Sequence, residues 1–210
     1  MEEQINFREY KSADRAAVAE IIRKTWSYDR FAGPETAGKM AEVFLDSCLA
    51  NQTFTQVAVI ENTPVGIIMA KSIKTHRCSI KFWFKRTFSI LSLLATKEGR
   101  SVACIFGGVN GIDKELLCDC EKEYQGELAF FAIDASYRGR GIGKKLFASA
   151  LDYLRKEQVE TFYLFTDTSC NYRFYEHQGM TRRREKIHTF SVKGQTEDMT
   201  FFIYDLQCFS

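Results

Sequence analysis

The part of the sequence that most restricts the fold is a strand, a glycine-rich turn, a helix and a second strand within residues 128–165. Leu128 to Ile133 and Thr161 to Phe165 are almost entirely apolar, as expected for strands buried on both faces. Lys144 to Lys156 has the periodicity of an amphipathic helix. A strand–helix–strand crossover requires a parallel strand pair and a right-handed connection. These residues therefore predict two parallel strands inside a sheet.

Strand pairs and helices surround this crossover. Two pairs of strand-like segments, one before it and one after it, are typical of antiparallel hairpins. Two helical patterns lie near the N-terminus, and a short one follows the second central strand. In chain order the segments are Ile5 to Tyr10, Ala13 to Trp26, Thr36 to Leu49, Phe54 to Ile60, Val65 to Ala70, Asn171 to Gln178, Lys186 to Val192 and Met199 to Leu206. The pattern predicts an α/β protein with a mixed sheet.

Residues 71–126 have a less regular pattern. A basic run, Lys71 to Arg86, contains six cations and no acid, and an apolar patch, Phe88 to Leu94, follows it. A glycine-interrupted apolar segment, Val102 to Ile112, precedes an acidic, helix-like piece, Asp113 to Glu123. We interpret the basic run as a solvated face, with the lip of a binding cleft as the alternative. For the apolar patch we expect a place in the core, with a dimer interface as the alternative.

Charge and cysteine usage narrow the partners and the compartment. The 29 basic and 27 acidic residues leave a net charge of +2, too weak a field for non-specific nucleic-acid binding. No uncharged stretch approaches the ~20 residues that span a bilayer. Met1 to Gln4 is acidic and is not followed by the apolar segment of a secretory signal. The seven cysteines form no Cys-x-x-Cys pair, so we expect free thiols, no metal and a cytoplasmic protein without a membrane partner.

The glycine-rich turn is the clearest candidate for a binding site. Closely spaced glycines expose successive backbone N–H groups, and a helix N-terminus adds partial positive charge, so this turn suits a diphosphate. The alternative is a tight turn with solvated cations. Neither the ending of a phosphate-binding P-loop nor the spacing of a dinucleotide fingerprint is present. The turn and its flanking cations are Arg138, Gly139, Arg140, Gly141, Ile142, Gly143 and Lys144.

Two motifs resemble one known family. Arg138-x-x-Gly141-x-Gly143 after an apolar strand resembles the acyl-CoA-binding motif of the GNAT superfamily of N-acetyltransferases. The block from Asn171 to Met180 is similar to the family's later Asn … Tyr … Gly-Phe motif, and the two motifs occur in the family's order. The resemblance implies a mostly antiparallel central sheet with a splayed parallel strand pair, flanked by helices. It also implies one domain over residues 1–210, with an enlarged insertion at about 71–126.

The resemblance implies acetyl-CoA as co-substrate and assigns its binding residues. The cofactor's pyrophosphate would lie on the glycine-rich turn, from Arg138 to Lys144. Its pantetheine arm would follow the central strand at Phe131 and Ile133, where a backbone amide serves as the oxyanion donor. Asn171 resembles the asparagine that binds this arm, although the commoner family spacing falls on Thr168, and a helix N-cap is the alternative for Asn171.

Catalytic roles also follow from the resemblance. Tyr175 stands where the family's tyrosine gives a proton to the CoA sulfur, and a phenol suits that step. Glu127 resembles the glutamate with which the histone acetyltransferase branch deprotonates lysine through water. The alternatives are a core aromatic for Tyr175 and a solvated strand end for Glu127. Asp134 is a second candidate base, and it could instead accept amide hydrogen bonds of its own loop.

The resulting hypothesis is an N-acetyltransferase that moves an acetyl group from acetyl-CoA to a primary amine by direct attack in a ternary complex. The acceptor is a small-molecule amine or a lysine of a protein or peptide, and a homodimer stays open. A sensor that binds acyl-CoA without turnover is the alternative. A further alternative, a membrane-surface protein, would use the basic run and the aromatic residues from Phe82 to Phe84.

Overall fold

The computed structural model describes residues 4–192 and 195–209, without the side chains at 105, 191, 192, 195 and 197. Its described strands form one sheet in the order β1-β2-β3-β4-β5-β7-β6. Only β4 and β5 run parallel, and every other neighbouring pair is antiparallel. The strands are β1 Ile5–Arg8, β2 Phe54–Ile60, β3 Thr63–Ser72, β4 Gly126–Ile133, β5 Thr161–Asp167, β6 Thr181–Val192 and β7 Gln195–Gln207. The predicted mixed α/β sheet is confirmed.

Six α-helices are found in the described residues, and two of them lie between β3 and β4. They are α1 Arg15–Thr25, α2 Pro34–Ala50, α3 Ile80–Leu94, α4 Lys97–Cys118, α5 Ile142–Lys156 and α6 Arg173–His177. The predicted helical piece from Asp113 to Glu123 is confirmed as far as Cys118, but its bounds are wrong, because α4 begins far earlier and ends at that residue. Glycines at 107, 108 and 111 did not interrupt α4, since each faces open space while Ile112 and Leu116 pack on the sheet.

The helices leave a gap on one face of the sheet. Helices α1 and α2 pack over the β2–β4 half, where their apolar sides join Val57, Ile67 and Met69. Helix α4 packs over the other half, against Tyr163 and Ile203. Helix α5 covers the opposite face. Of the two helices between β3 and β4, α4 therefore completes the cover of this face, whereas α3 packs on α2. The gap between α1/α2 and α4 lies over the β4–β5 boundary.

Strands β4 and β5 separate soon after they meet. Their pairing is limited to Gly126 with Phe162 and Glu127 with Tyr163, so the rest of β4 has no partner on that edge. On the other edge, the register with β3 shifts between Leu128 and Phe130, which leaves a bulge at Ala129. The bulge reverses the side-chain alternation, because Leu128 faces α5 whereas Phe130 faces α1 and α2. The predicted splay of the parallel pair is therefore present.

A buried carboxylate ties the N-terminal helices to α3. The Asp46 side chain is fully buried, and it accepts hydrogen bonds from Arg15 on α1 and from the Ser89 hydroxyl on α3. We expect Asp46→Ala to lower the free energy of unfolding by about 3 kcal/mol, because it leaves a partly buried guanidinium and a buried hydroxyl unpaired. Urea unfolding followed by circular dichroism measures this loss.

Glu42 provides the control for Asp46, because it contacts the same guanidinium from the surface. Its carboxylate lies 3.5 Å from Arg15 with half of the side chain exposed, so Glu42→Ala should cost less than about 1 kcal/mol. Equal losses for the two variants would contradict the burial argument.

Several sequence-based expectations concern the chain as a whole. That residues 1–210 form one domain stays a prediction. Residues 1–3, on which the prediction of no secretory signal largely rests, lie outside the described residues. Within the described chain, every helix is too short or too polar to cross a bilayer. The cysteines are all free thiols, as expected, and no cluster of described side chains could hold a metal ion.

Candidate active site

The glycine-rich turn joins β4 to α5 and has the geometry of an anion cradle. Gly139 and Gly141 both have positive φ angles, +79° and +74°, which glycine adopts without the usual steric cost. Gly141 is the N-cap of α5, so the amides of the first helical turn have no intrahelical acceptors. The guanidinium of Arg138 donates to the carbonyl of Ile133 at 3.3 Å, which holds the turn against the end of β4.

Gly143 allows the start of α5 to approach β4 closely. A Cβ at this position would lie 3.0 Å from the Ile133 side chain and 3.5 Å from that of Phe131. The absent side chain therefore brings the helix N-terminus next to the edge of β4 that has lost its β5 partner. Two predicted binding features, the turn and the free strand edge, adjoin each other.

One continuous cavity has a volume of about 1800 Å³. It runs from the cradle, at the start of α5, through the strand splay to the face of the sheet on which α1, α2 and α4 pack. Its walls come from β4, from the end of β5 and from helices α1–α4. Eleven of the twelve predicted site residues line it: Glu127, Phe131, Ile133, Arg138, Gly139, Gly141, Ile142, Gly143, Lys144, Asn171 and Tyr175. Arg140 does not line the cavity, and its guanidinium lies 5.1 Å from the Tyr137 ring. The structure thus brings most of the predicted residues together around one space.

Tyr175 lies on α6 beside the free edge of β4. Its ring centroid is 6.4 Å from that of Phe131, and the side chain is 9% exposed, at the cavity wall. Burial raises the pKa of Tyr175, with smaller contributions from Cys170 and Asp167, so the phenol is protonated at neutral pH. No hydrogen bond within the described part of the chain engages its hydroxyl. The hydroxyl is therefore available to a ligand.

Glu127 lies at the start of β4, on the α2 side of the sheet. Its carboxylate accepts from the Asn51 amide at 3.1 Å and lies 3.5 Å from the Lys71 ammonium. Only 13% of its side chain is exposed, so the alternative of a solvated strand end is wrong. Lys71, the first cation of the basic run, forms this ion pair with only 18% of its side chain exposed. The interpretation of the basic run as a solvated face is therefore wrong for Lys71. Burial, with Glu127 nearby, also raises the pKa of Tyr163 on β5.

Two further carboxyl groups line the cavity from other elements. Asp113 extends from α4 and Asp167 ends β5. Burial raises the pKa of Asp113 to about 7, and the like charges of Asp167 and Glu127 add to the shift. No cation of the described chain pairs with Asp113. The cavity is therefore lined by acidic groups from three elements, β4, β5 and α4.

The remaining candidate residues, Asn171, Thr168 and Asp134, differ in whether they line the cavity and in what they contact. Asn171 lines the cavity and is not the N-cap of α6, because that position belongs to Tyr172. Thr168 is tied to Thr200 on β7 and does not reach the cavity. The carboxylate of Asp134 accepts a hydrogen bond from the Ser136 amide at 2.9 Å. This contact agrees with the alternative predicted for Asp134, in which it accepts amide hydrogen bonds of its own loop.

Comparisons with known proteins agree with this geometry. The sequence profile of the Acetyltransferase (GNAT) family matches residues 16–180. The chain belongs to the GNAT family of acetyltransferases. No curated protein matches its sequence significantly. The family places this GNAT domain among the acyltransferases, as the two motifs implied.

Solved structures resemble the GNAT domain over almost its whole length. SsHAT is 15% identical, with a TM-score of 0.63 and coverage of 99% of this chain and 100% of that one. The Escherichia coli ribosomal-protein-S18-alanine N-acetyltransferase is 14% identical, with a TM-score of 0.54 and coverage of 98% and 94%. The NatC complex bound to Gag peptide and CoA is 16% identical, with a TM-score of 0.50 and coverage of 97% and 98%. At these identities the likeness concerns the fold.

GNAT proteins use acetyl-CoA, and the residues of this GNAT domain fit that co-substrate. The exposed amides at the start of α5 and the surrounding cations suit a pyrophosphate. The unpaired edge of β4 can pair with the amide groups of a pantetheine arm, much as a strand pairs with an exposed sheet edge. Both features adjoin the same cavity.

Sequence reasoning did not single out the carboxylate of Asp167, and it included Asp113 only as part of an acidic segment, Asp113 to Glu127, that would suit a cationic acceptor. Asp167 carries a recognisable signal, because it follows a buried strand at the carboxyl end of a parallel pair, where α/β sheets place ligands. Asp113 lies 14 residues before Glu127 in sequence and reaches the cavity only because α4 folds back over β5 and β7. Asn51 and Lys71, which hold Glu127, carry no local signal.

Proposed function

We propose that this protein is an N-acetyltransferase that moves an acetyl group from acetyl-CoA to a primary amine by direct attack. The observation that carries the proposal is the continuity of one cavity from the cradle, past Tyr175 and the free edge of β4, to the carboxylates of Glu127, Asp113 and Asp167. A donor held on one side of the splay and an acceptor held on the other would meet beside β4, so no covalent enzyme intermediate is needed.

The proposed chemistry assigns one task to each group at the splay. The amine nitrogen forms a bond to the acetyl carbon, and a backbone amide of β4 at Phe131 or Ile133 stabilises the developing oxyanion. The carbon–sulfur bond then breaks. Tyr175 donates its hydroxyl proton to the departing sulfur, whose own pKa is also raised in so apolar a place. The amine proton passes to a carboxylate.

Glu127 is the proposed base, acting through water. Its position at the start of β4, where Asn51 and Lys71 hold the carboxylate at the cavity wall, supports this role. Asp113 is a second group suited to proton transfer, since a base with a pKa near the operating pH is the more effective one. Asp134 is less suited to this role because it caps its own loop.

The three carboxylates favour a cationic acceptor. An ammonium group entering the cavity would be attracted by Asp113, Glu127 and Asp167. Among the described residues, Glu127 is the one of these three that has a cationic partner. The acceptor proposed is therefore an amine that is protonated in solution, either a small molecule or a lysine of a peptide. A protein of the cytoplasm would meet both classes.

Release of the CoA thiol tests the proposed function. The protein is incubated with acetyl-CoA and a panel of polyamines, aminoglycosides and lysine-containing peptides, and the free thiol is measured with a chromogenic disulfide. We expect amine-dependent release with at least one class. Saturable binding of acetyl-CoA in calorimetry without release for any amine would favour the sensor. Absence of binding, with the protein folded, would contradict both functions.

The raised pKa of Asp113 predicts a pH-dependent effect on stability. Its pKa is about 7 in the folded protein against 3.8 as the ordinary value, so the folded state binds more protons between these pH values. Below about pH 4 the carboxyl group is protonated in both the folded and the unfolded state, and its contribution to the free energy of unfolding is fully present. This contribution is lost as the pH rises to about 7, because the unfolded state gives up the proton first. We expect Asp113→Asn to raise the melting temperature relative to the wild type increasingly between pH 4 and 7, with a constant gain above that.

Asp152 serves as the matched control for this measurement. It lies on α5 with 67% of its side chain exposed, so Asp152→Asn should show little change with pH. Thermal melts of both variants at pH 5 and pH 8.5 compare them. A gain for Asp113→Asn that does not depend on pH would contradict the assignment, because it would arise from packing rather than from charge.

A further inference from the structure

Helix α3 turns most of its apolar side chains to solvent. Its opposite side packs on α2 and includes the buried residues Ser89 and Leu93. At about 100° per residue, the exposed apolar positions fall within an arc of roughly 160°. These positions form the α3 apolar face: Ile80 (74% exposed), Trp83 (46%), Phe84 (61%), Phe88 (74%), Ile90 (37%), Leu91 (62%) and Leu94 (36%). The sequence-based interpretation of the apolar patch as core is therefore wrong for most of its residues.

The cavity does not account for this face. Trp83, Ile90 and Leu94 line the cavity mouth along one edge of the α3 apolar face. The four most exposed members are not part of the cavity wall: Ile80, Phe84, Phe88 and Leu91. An acceptor in the cavity would leave them in water. So large an apolar surface on one helix indicates contact with another surface.

Cations border the α3 apolar face on both sides. On the same helical projection, Lys81 and Lys85 follow one border of the arc and Arg86 follows the other. Lys74 and Arg77 precede the helix, and residues 71–97 contain no aspartate or glutamate. No ion pair of the described chain engages these five cations. The helix thus combines an aromatic-rich apolar face with a purely basic rim.

We propose that helix α3 docks this protein on an anionic membrane surface, in the plane of the lipid headgroups. The apolar face would enter the boundary of the acyl chains, while Lys81, Lys85 and Arg86 would extend to the phosphates. The four most exposed residues of this face lie outside the cavity, and the proposal does not depend on the proposed function. It departs from the sequence-based expectation of no membrane partner, because the sequence alone did not reveal which side of α3 is buried.

Charge complementarity favours lipid over a second copy of the chain. Two copies that met through their α3 apolar faces would bring two basic rims together, and residues 71–97 offer no carboxylate to neutralise them. An anionic leaflet supplies the missing negative charge along the whole helix. Docking would also bring the cavity mouth, at Trp83 and Arg86, close to the headgroups.

Co-sedimentation with vesicles tests the proposal. The full chain is mixed with vesicles of phosphatidylcholine alone or with about one third phosphatidylglycerol. We expect sedimentation with the anionic vesicles, and much weaker binding to phosphatidylcholine or at high salt. Lys81→Gln together with Lys85→Gln should weaken the binding about 25-fold, near fivefold for each charge. Phe88→Ser should also weaken it, because it removes the most exposed aromatic ring.

Matched substitutions elsewhere separate docking from general charge and hydrophobicity. Lys114→Gln with Lys156→Gln removes two cations from other helices, and Phe209→Ser removes a phenylalanine that is 58% exposed far along the chain. Both should leave sedimentation unchanged. Equal losses in the α3 variants and these controls would overturn the proposal.

Light scattering gives the other decisive result. A monomer that sediments with anionic vesicles supports the proposal. A dimer that Phe88→Ser dissociates, without sedimentation of either form, would overturn it and assign the face to a second copy. Failure of the folded protein to bind vesicles of either composition would overturn it as well.

Discussion

Substitution of Gly141 by glutamate is expected to abolish binding of acetyl-CoA while leaving the protein folded. Gly141 has a φ of +74°, and a Cβ placed there meets nothing within 4 Å. The new side chain therefore lowers the free energy of unfolding only through the left-handed backbone conformation, by about 1 kcal/mol. Its carboxylate would stand where the cradle amides and the α5 N-terminus attract a pyrophosphate. We expect the dissociation constant in calorimetry to rise by about 100-fold or more.

Two glycine substitutions distinguish charge from backbone strain. Gly141→Asn places a neutral side chain on the same positive φ and should weaken binding far less than the glutamate. Gly179→Glu introduces the same carboxylate at another open glycine with φ of +82°, after α6 and away from the cavity. It should lower the melting temperature as Gly141→Glu does, with binding retained. If all three variants bind acetyl-CoA normally, the turn is not the cradle.

The central part of the fold could be predicted because its signals are local. Two apolar strands, a glycine turn and an amphipathic helix are adjacent in sequence, so the parallel pair and the cradle follow from short segments. The splay follows equally well once the family is known. The range Phe54–Ile60 agrees to the residue, and the turn at Glu61 and Asn62 defines its C-terminal end.

The helices between β3 and β4 could not be predicted in the same way. The apolar patch of α3 looks like core in sequence, and only the packing of its other side on α2 reveals that it is exposed. In α4 the glycines suggested an interruption, but the free energy gained where Ile112 and Leu116 pack on the sheet outweighs about 1 kcal/mol for each glycine. Both outcomes depend on tertiary contacts.

The candidate site likewise contains residues that local motifs predict and contacts that depend on the tertiary fold. Tyr175 and the turn residues are recognisable from their motifs, and the cavity brings them together. The surroundings of Glu127 come from Asn51 at the end of α2 and from Lys71 on β3, more than 50 residues away along the chain. No local pattern encodes such a contact. The sequence indicated an acidic segment from Asp113 to Glu127, but only the fold shows that Asp113 and Asp167 line the same cavity as Glu127.

Removal of the Tyr175 hydroxyl by the substitution Tyr175→Phe should lower kcat strongly, with little effect on the free energy of unfolding. The ring of Tyr175 packs among those of Phe131, Phe174 and Tyr204, with centroids 5.6–6.4 Å away, and phenylalanine preserves these contacts. The hydroxyl has no partner among the described residues, so its loss breaks no hydrogen bond of the fold. A departing thiolate would lose its proton donor.

We therefore expect Tyr175→Phe to reduce kcat about 100-fold and to change the KM for acetyl-CoA by less than about twofold. Tyr204→Phe should give the reverse result. Its hydroxyl donates to Glu176 at 2.8 Å and accepts from Arg182 at 3.0 Å outside the cavity, so this variant should lose stability and keep its kcat. Thiol release and thermal melts measure both quantities. An unchanged kcat in Tyr175→Phe would show that another group, or water, protonates the sulfur.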